Sequence, residues 1–187
     1  MNTLYNEDLR NHNASWINNI TNDQIEVNDW LVPQINKHNI LFAGTGNSSL
    51  AIQTQDTANL IDGFTIIRSE YDLGVKLGIP NYRVYYVDKY SDELLGLPNQ
   101  YDFIVDINLS SYAKDIECFA RMMNNYLALL KPQGKIVSHT NGLSYVYEGS
   151  QSYITNINSL VVFLNTCLDS RPQLTMETNT VFTITKL

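Results

Sequence analysis

From Asn39 onward, short apolar runs alternate with longer amphipathic stretches, and this rhythm restricts the chain more than any other feature. Residues 40–43, 58–61, 82–87, 103–107 and 135–138 read as strands, and four of them are bracketed by helical periodicity. Such alternation predicts βαβ units and a parallel sheet. The clearest helix spans residues 114–130, KDIECFARMMNNYLALL, with Ile116, Phe119, Met123, Tyr126, Leu127 and Leu130 on one face. It is stopped by Lys131, Pro132, Gln133 and Gly134. A further helix over 152–168 precedes QLTMETNTVFTITKL, which reads as a hairpin turning at Thr178 and Asn179. The expected fold is α/β: a Rossmann-like three-layer sandwich around a mostly parallel, seven-stranded sheet with an antiparallel C-terminal hairpin strand.

The stretch before this pattern is polar and Asn-rich, with scattered anchors such as Trp16, Ile17, Ile25 and Trp30. Thr21 or Asn22 can cap a helix there, and Pro33 stops it or lies just beyond it. Residues 1–38 are therefore expected to form a helical lid segment, and residues 39–187 the main domain. A length of 187 residues with 44% hydrophobic content suffices for one core, and 17% charge is too little for a disordered chain. The formal charge of −7, with no concentrated set of Lys and Arg, argues against nucleic acid as a partner. No apolar run is long enough to span a bilayer, and MNTLYNEDLRNHN lacks the basic-then-apolar order of a signal peptide, so the expected location is cytoplasmic, away from membranes. Cys118 and Cys167 sit among apolar neighbours and are expected to be buried, reduced thiols; no Cys/His cluster has metal-ligand spacing.

Within this frame one loop carries chemistry. ILFAGTGNSSLA, residues 40–51, passes from an apolar strand through Gly44, Thr45 and Gly46 into a helix start. Glycine tolerates positive φ and lets a ligand approach the main chain, while a helix N-terminus offers unpaired N–H groups. A nucleoside-containing cofactor is expected on this turn. A carboxylate ending the next strand, about 20 residues on, could then accept both ribose hydroxyls. Asp62 lies 62 − 44 = 18 residues after Gly44, and Glu70 lies 70 − 44 = 26 after it. Choosing Glu70 leaves only residues 71–80 for a crossover helix, interrupted by Gly74 and Gly78. Asp62 instead makes ANLID the strand and leaves 65–77 for the helix, which a parallel crossover favours. Asp62→Ala is therefore expected to abolish cofactor binding and Glu70→Ala hardly to alter it.

The order of these pieces resembles the class I S-adenosylmethionine-dependent methyltransferases over nearly all of residues 39–187. ILFAGTGNSSLA looks like their first motif, in the G-x-G-N-S variant; LGIPNYRVYYVD is similar to the third strand with its adenine-binding Asp. LPNQYDFIVDINLSSY resembles the fourth strand and the loop beside the transferred methyl, and LALLKPQGKIVSH the helix, turn and strand before the fifth-strand loop. The resemblance implies S-adenosylmethionine as cofactor and S-adenosylhomocysteine as product. It implies that Ala43, Gly44, Thr45, Gly46 and Ser48 approach the methionine part and that Asp62 holds the ribose. Gly63 or Phe64 would border the adenine, with Asp88 accepting from its amine and Lys89 beside it; Asp106 and Ile107 would lie near the sulfonium. Asp88 could alternatively cap the residues after it, and Asp106 could be a solvated loop acid. The family's usual acid near the end of the first strand is replaced by Phe42, and a third glycine by Ser48.

A sulfonium is already an activated donor, so alignment and exclusion of water are the protein's main tasks. His139, at the end of the fifth strand, is the candidate base, with Asn108 and Tyr112 as further catalytic candidates; a lone strand-end His also serves as a structural hydrogen-bonder. Tyr145 and Tyr147 could wall the acceptor pocket. An N-P-P-Y-like tetrapeptide is absent, since Asn108, Leu109, Ser110 and Ser111 stand there. The expected activity is methyl transfer to a small molecule or a protein side chain. The alternatives are an inactive methyltransferase-like binding domain, or another transferase using the same cofactor; the oligomeric state is open.

Overall fold

The computed structural model describes residues 19–98, 100–111, 113, 115–143 and 154–187. Its seven strands are β1 (Asn39–Ala43), β2 (Leu60–Thr65), β3 (Tyr82–Tyr86), β4 (Tyr101–Val105), β5 (Leu130–His139), β6 (Gln173–Met176) and β7 (Val181–Thr185). They form one sheet in the order β3-β2-β1-β4-β5-β7-β6. The pairings from β3 to β5 are parallel, and β7 runs antiparallel to both its neighbours. Ile40, Leu41 and Phe42 of the central β1 are all buried, the near-continuous apolar reading of a strand covered on both faces. The expected fold class is the observed one, hairpin included.

Helix α1 (Asn22–Leu31) starts at a capping box in which Thr21 and Gln24 satisfy each other's main-chain N–H groups. It buries Val27 and Leu31 against Ile40, Phe42, Val137 and Val181, on the sheet face that also carries α2 (Ser49–Thr54) and α3 (Arg68–Lys76). The opposite face is covered by α4 (Ile116–Leu129) and α5 (Ile157–Thr166), around Phe119, Met123, Tyr126 and Phe163. Asp115 and Asn156 cap these two helices, accepting from Cys118 N and Ser159 N.

Three readings need correction. The second strand is not the run ending at Asp62: it extends from Leu60 to Thr65, and its crossover helix begins at Arg68. A nine-residue helix suffices because Gly74, which looked like an interruption, is where α3 meets the sheet; a Cβ there would lie 2.7 Å from Val84 Cγ2. Residues 131–134 are not a free turn but the irregular start of β5, with Gln133 at φ 64°. Cys167 is exposed rather than buried, and Cys118 half-buried. Among the described residues no helix is long and apolar enough to cross a membrane, and no group of three or more His, Cys, Asp or Glu could hold a metal ion.

Candidate functional site

The turn after β1 is held open by its backbone. Gly44 and Gly46 have φ of 65° and 49°, values that favour glycine. Gly44 N–H donates to Phe64 O at 2.8 Å, tying the turn to β2. A Cβ built on Gly44 meets nothing within 4 Å, so the main chain there is open to a ligand. Thr45 folds back over β2, with its methyl only 2.6 Å from where a Cβ on Gly63 would stand. Gly63 therefore serves the packing of the turn rather than an adenine. Ser48 adopts φ 56°, turns its hydroxyl inward to Tyr82 OH at 3.0 Å and donates its N–H to Thr45 O at 2.7 Å, so it is fully buried and braces the turn from behind. Four buried side-chain polar atoms lack a partner among the described residues: Thr45 Oγ1, Asn47 Nδ2, Ser69 Oγ and Ser138 Oγ. The first three sit at or just beyond the C-terminal ends of β1 and β2.

The acids divide differently from the expectation. Asp62 lies in mid-strand opposite Leu41, fully buried at 0% exposure. Its carboxylate accepts from Arg83 Nε and Nη2, both at 2.8 Å, and from Tyr101 OH at 2.6 Å. Burial, with the adjoining Asp62, pushes the Tyr101 phenol up, and the bond to Asp62 raises the Arg83 guanidinium. Asp62 is thus a structural anchor between β2, β3 and β4, not the residue at the strand end. Phe64 faces the opposite layer, packed on Tyr126 with ring centroids 6.4 Å apart. The C-terminal edge of β2 is Thr65, whose hydroxyl donates to Glu70 Oε2 at 2.6 Å and accepts from Ile67 N–H at 3.0 Å. Glu70, in the first turn of α3, is only 3% exposed.

At the ends of β3 and β4, Asp88 accepts from Tyr90 N–H at 2.8 Å, a local Asx turn. Lys89 reaches across to β4, donating to Asp106 Oδ2, Asn108 O, Leu109 O and Ser111 Oγ at 2.8–3.3 Å. Asp106 also accepts from Tyr126 OH at 3.0 Å and is buried, not a solvated loop acid. Burial, then the charge of Asp106, pushes the Tyr126 phenol well up. The ammonium thereby fixes the turn that presents Ile107 and the exposed Asn108. Tyr112, Tyr145, Tyr147 and Trp16 lie outside the described residues.

Helix α1 stands over the glycine turn. Gln24, Asn28, Phe42, Ala43, Gly44, Thr45, Val105 and Ile107 enclose a crevice of about 20 Å³, room for about one water molecule. Phe42, at the position of the missing acid, is stacked on Tyr82 at 5.7 Å. Asn28 Nδ2 donates to Ser49 Oγ at 3.3 Å. Farther along the helix, Glu26 accepts from the Thr180 hydroxyl and faces His139 Nε2 at 3.2 Å. His139 Nδ1 accepts from Asn141 N–H at 3.1 Å. Both ring nitrogens are thus engaged and the residue is 1% exposed. This geometry does not suit a general base; His139 pins α1 to the ends of β5 and β7.

No family model matches the chain, and no curated protein matches it in sequence. Solved structures do match in shape. The N-methyltransferase NodS from Bradyrhizobium japonicum WM9, in complex with S-adenosyl-L-homocysteine, superposes with a TM-score of 0.70 over 96% of this chain and 95% of that one, at 10% identity. CalS10 from Micromonospora echinaspora, a SAM-bound amino pentose methyltransferase, gives 0.62 over 94% and 93% at 9% identity. Magnesium protoporphyrin IX methyltransferase (ChlM) from Synechocystis PCC 6803, with bound SAM, gives 0.59 over 87% and 77% at 16% identity. The fold is that of the class I S-adenosylmethionine-dependent methyltransferases.

In a methyltransferase-like fold of this kind, an open parallel sheet, ligands sit outside the carboxyl ends of the strands. Gly44, Thr45, Gly46, Thr65, Asp88, Ile107 and Asn108 gather there, whereas Asp62, Gly63, Phe64 and His139 are turned into packing or pairing. Sequence reasoning missed Gln24 and Asn28 as the cover of the turn, although the T-x-x-Q capping signature at Thr21 marks where that helix begins. The chosen reading also placed Thr65 at the start of the crossover helix, whereas it ends β2.

Proposed function

We propose that this protein transfers a methyl group from S-adenosylmethionine to a small-molecule or protein side-chain acceptor. The observation that carries the reading is the positive-φ glycine turn at the carboxyl end of β1, with the unpartnered Thr45 Oγ1 and Asn47 Nδ2 on it. Supporting it, NodS was crystallised with the demethylated product and CalS10 with the donor. The bound cofactor would supply a sulfonium-activated methyl group, which needs alignment rather than activation.

The chain's own residues divide that work by position. Ala43, Gly44, Thr45 and Gly46 form the cradle for the methionine part, with Ser48 holding the turn from behind. Thr65, backed by the Glu70 carboxylate, offers hydrogen bonds at the strand edge assigned to the ribose. Asp88 stands at the edge assigned to adenine. Ile107 and Asn108 flank the reacting end, on a turn immobilised by Lys89 and Asp106. The crevice has too little room while Gln24 stands over it, so binding requires the first turn of α1 to move aside. Its return over the bound molecule excludes water.

Thermal melting with S-adenosylhomocysteine tests the reading. At 100 times its Kd the ligand stabilises the fold by about 2.7 kcal/mol, which for a domain of this size raises Tm by about 5–11 °C. An unmoved melt at millimolar S-adenosylmethionine and S-adenosylhomocysteine would refute it.

A further inference from the structure

Ser48 stands immediately before α2, where a serine normally takes an extended backbone and caps the helix with its side-chain oxygen. Here it adopts φ 56° and ψ 26°, the left-handed region, and its side chain caps nothing. A side chain disfavours that conformation, which glycine adopts freely. Both main-chain groups of Ser48 are committed, the N–H donating to Thr45 O at 2.7 Å and the carbonyl accepting from Ile52 N–H at 3.0 Å. The residue therefore joins the glycine turn to α2, and its conformation governs how Gly44 and Gly46 present their main chain. The hydroxyl goes instead to Tyr82. The two oxygens lie 3.0 Å apart, and neither hydroxyl makes another hydrogen bond to a described residue.

Tyr82 opens β3, the edge strand, whereas the turn follows β1, two strands farther in. The phenol reaches it by crossing β2 where β2 has no side chain. A Cβ on Gly63 would lie 3.1 Å from both Tyr82 Cε2 and Tyr82 Oη, and one on Gly74 of α3 would lie 3.1 Å from the same oxygen and 3.5 Å from Ser48 Oγ. Neither glycine has a positive φ, so room for the phenol, not backbone conformation, is what they supply. The ring is stacked on Phe42, with centroids 5.7 Å apart and planes 20° apart, and Phe42 lies opposite Gly63 in the register of β1 and β2. Burial pushes the Tyr82 phenol up, so the hydroxyl keeps its proton.

We propose that Tyr82 is a positioning residue for cofactor binding: its hydroxyl holds Ser48 in the left-handed conformation and so keeps the glycine turn in the shape that receives the methionine part. The proposal rests on the methyltransferase reading for the identity of the ligand and on the Tyr82–Ser48 geometry for the role. A turn held in the receptive shape binds at its intrinsic affinity, and one that is receptive only part of the time binds more weakly in proportion.

A rescue experiment on the full chain tests this. Tyr82→Phe removes the hydroxyl and keeps the ring on Phe42. Calorimetric titration with S-adenosylhomocysteine, well below the melt, should find the affinity lowered about threefold to tenfold, the range of one hydrogen bond. Ser48→Ala removes the same bond from the other end and keeps the Cβ; it should do likewise, and the two together should be no worse than either. With Ser48→Gly present, position 48 takes the left-handed conformation unaided, and adding Tyr82→Phe should cost less than twofold. A Tyr82 that only packs the core would lower Tm and leave the affinity unmoved. Undiminished affinity in both Tyr82→Phe and Ser48→Ala, or an equal loss from Tyr82→Phe with and without Ser48→Gly, would overturn the proposal. A wild-type chain that binds no S-adenosylhomocysteine at millimolar concentration would instead refute the methyltransferase reading. The role of Tyr82 is then read from hydrogen exchange of the amide at position 48, the one held by Thr45 O. Tyr82→Phe should speed that exchange at least threefold, and should not when Ser48→Gly is present; unchanged exchange would overturn the proposal.

Discussion

Replacing Asp62 by alanine should cost stability and leave cofactor affinity nearly intact, the reverse of what its spacing from Gly44 suggests. The side chain is fully buried and holds three donors: Arg83 Nε, Arg83 Nη2 and Tyr101 OH. Breaking a buried ion pair by removing one partner costs about 3–5 kcal/mol. Arg83, however, is 44% exposed and can rehydrate, which discounts its share. Tyr101 is wholly buried and cannot; its stranded hydroxyl costs about 1–3 kcal/mol. Together these give about 3 kcal/mol, a fall in Tm of about 6–12 °C for a domain of this size. Asp62→Asn, which keeps an acceptor for Tyr101, should lose less. Calorimetric titration with S-adenosylhomocysteine well below the melt should find the Asp62→Ala affinity within about threefold of wild type. Glu70→Gln, removing the charge behind Thr65, should weaken binding about tenfold or more, since hydrogen bonds to charged groups contribute about 1.5–3 kcal/mol. An Asp62→Ala protein that melts within 2 °C of wild type but no longer binds would refute the register argument and restore Asp62 to the ribose.

Lys89→Met should lower stability by about 3 kcal/mol, because it leaves the buried Asp106 without its cation; denaturant titration measures this, and Lys89→Arg should recover part of it. Gly142→Ala should disrupt the 3-10 segment after β5, since the new methyl would fall on the Ile107 carbonyl; with backbone unable to yield, a loss of about 3 kcal/mol is expected in the melt. The latch on α1 should weaken in acid. Its bond from Thr180, then that from His139, holds the Glu26 carboxyl below 4.5 when folded. A depressed folded pKa stabilises the closed helix above the unfolded value and loses that contribution as pH falls through the folded one. Hydrogen exchange of α1 amides should therefore accelerate below about pH 4.5 in the wild type, and Glu26→Gln should remove that dependence.

The sheet was readable because its strands are short apolar or aromatic runs and its turns are marked by glycine, proline and asparagine; the hairpin at Thr178 and Asn179 and the long helix ending near Leu129 are the clearest cases. The glycine turn was readable for the same local reason. The second strand was not, because no local signal fixes whether it stops at Asp62 or runs on through Gly63, Phe64 and Thr65, and only pairing decides. Gly63 lies opposite Phe42, which extends β2 to Thr65 and moves Asp62 inward. Crossover length placed the helix well, residues 65–77 against the observed Arg68–Lys76, but did not fix where β2 ends. His139 was placed correctly at the end of β5, but its partner Glu26 lies 113 residues away in the chain. No local pattern connects them.

Closure of α1 over the glycine turn has a kinetic side. With space for about one water beneath Gln24, the proposed cofactor would be received only by molecules whose α1 has swung out. The apparent dissociation constant is then the intrinsic one divided by the receptive fraction. Loosening the Glu26 tether would thus raise the association rate and shorten the residence time together, trading a slow, tenacious grip for a quick, leaky one.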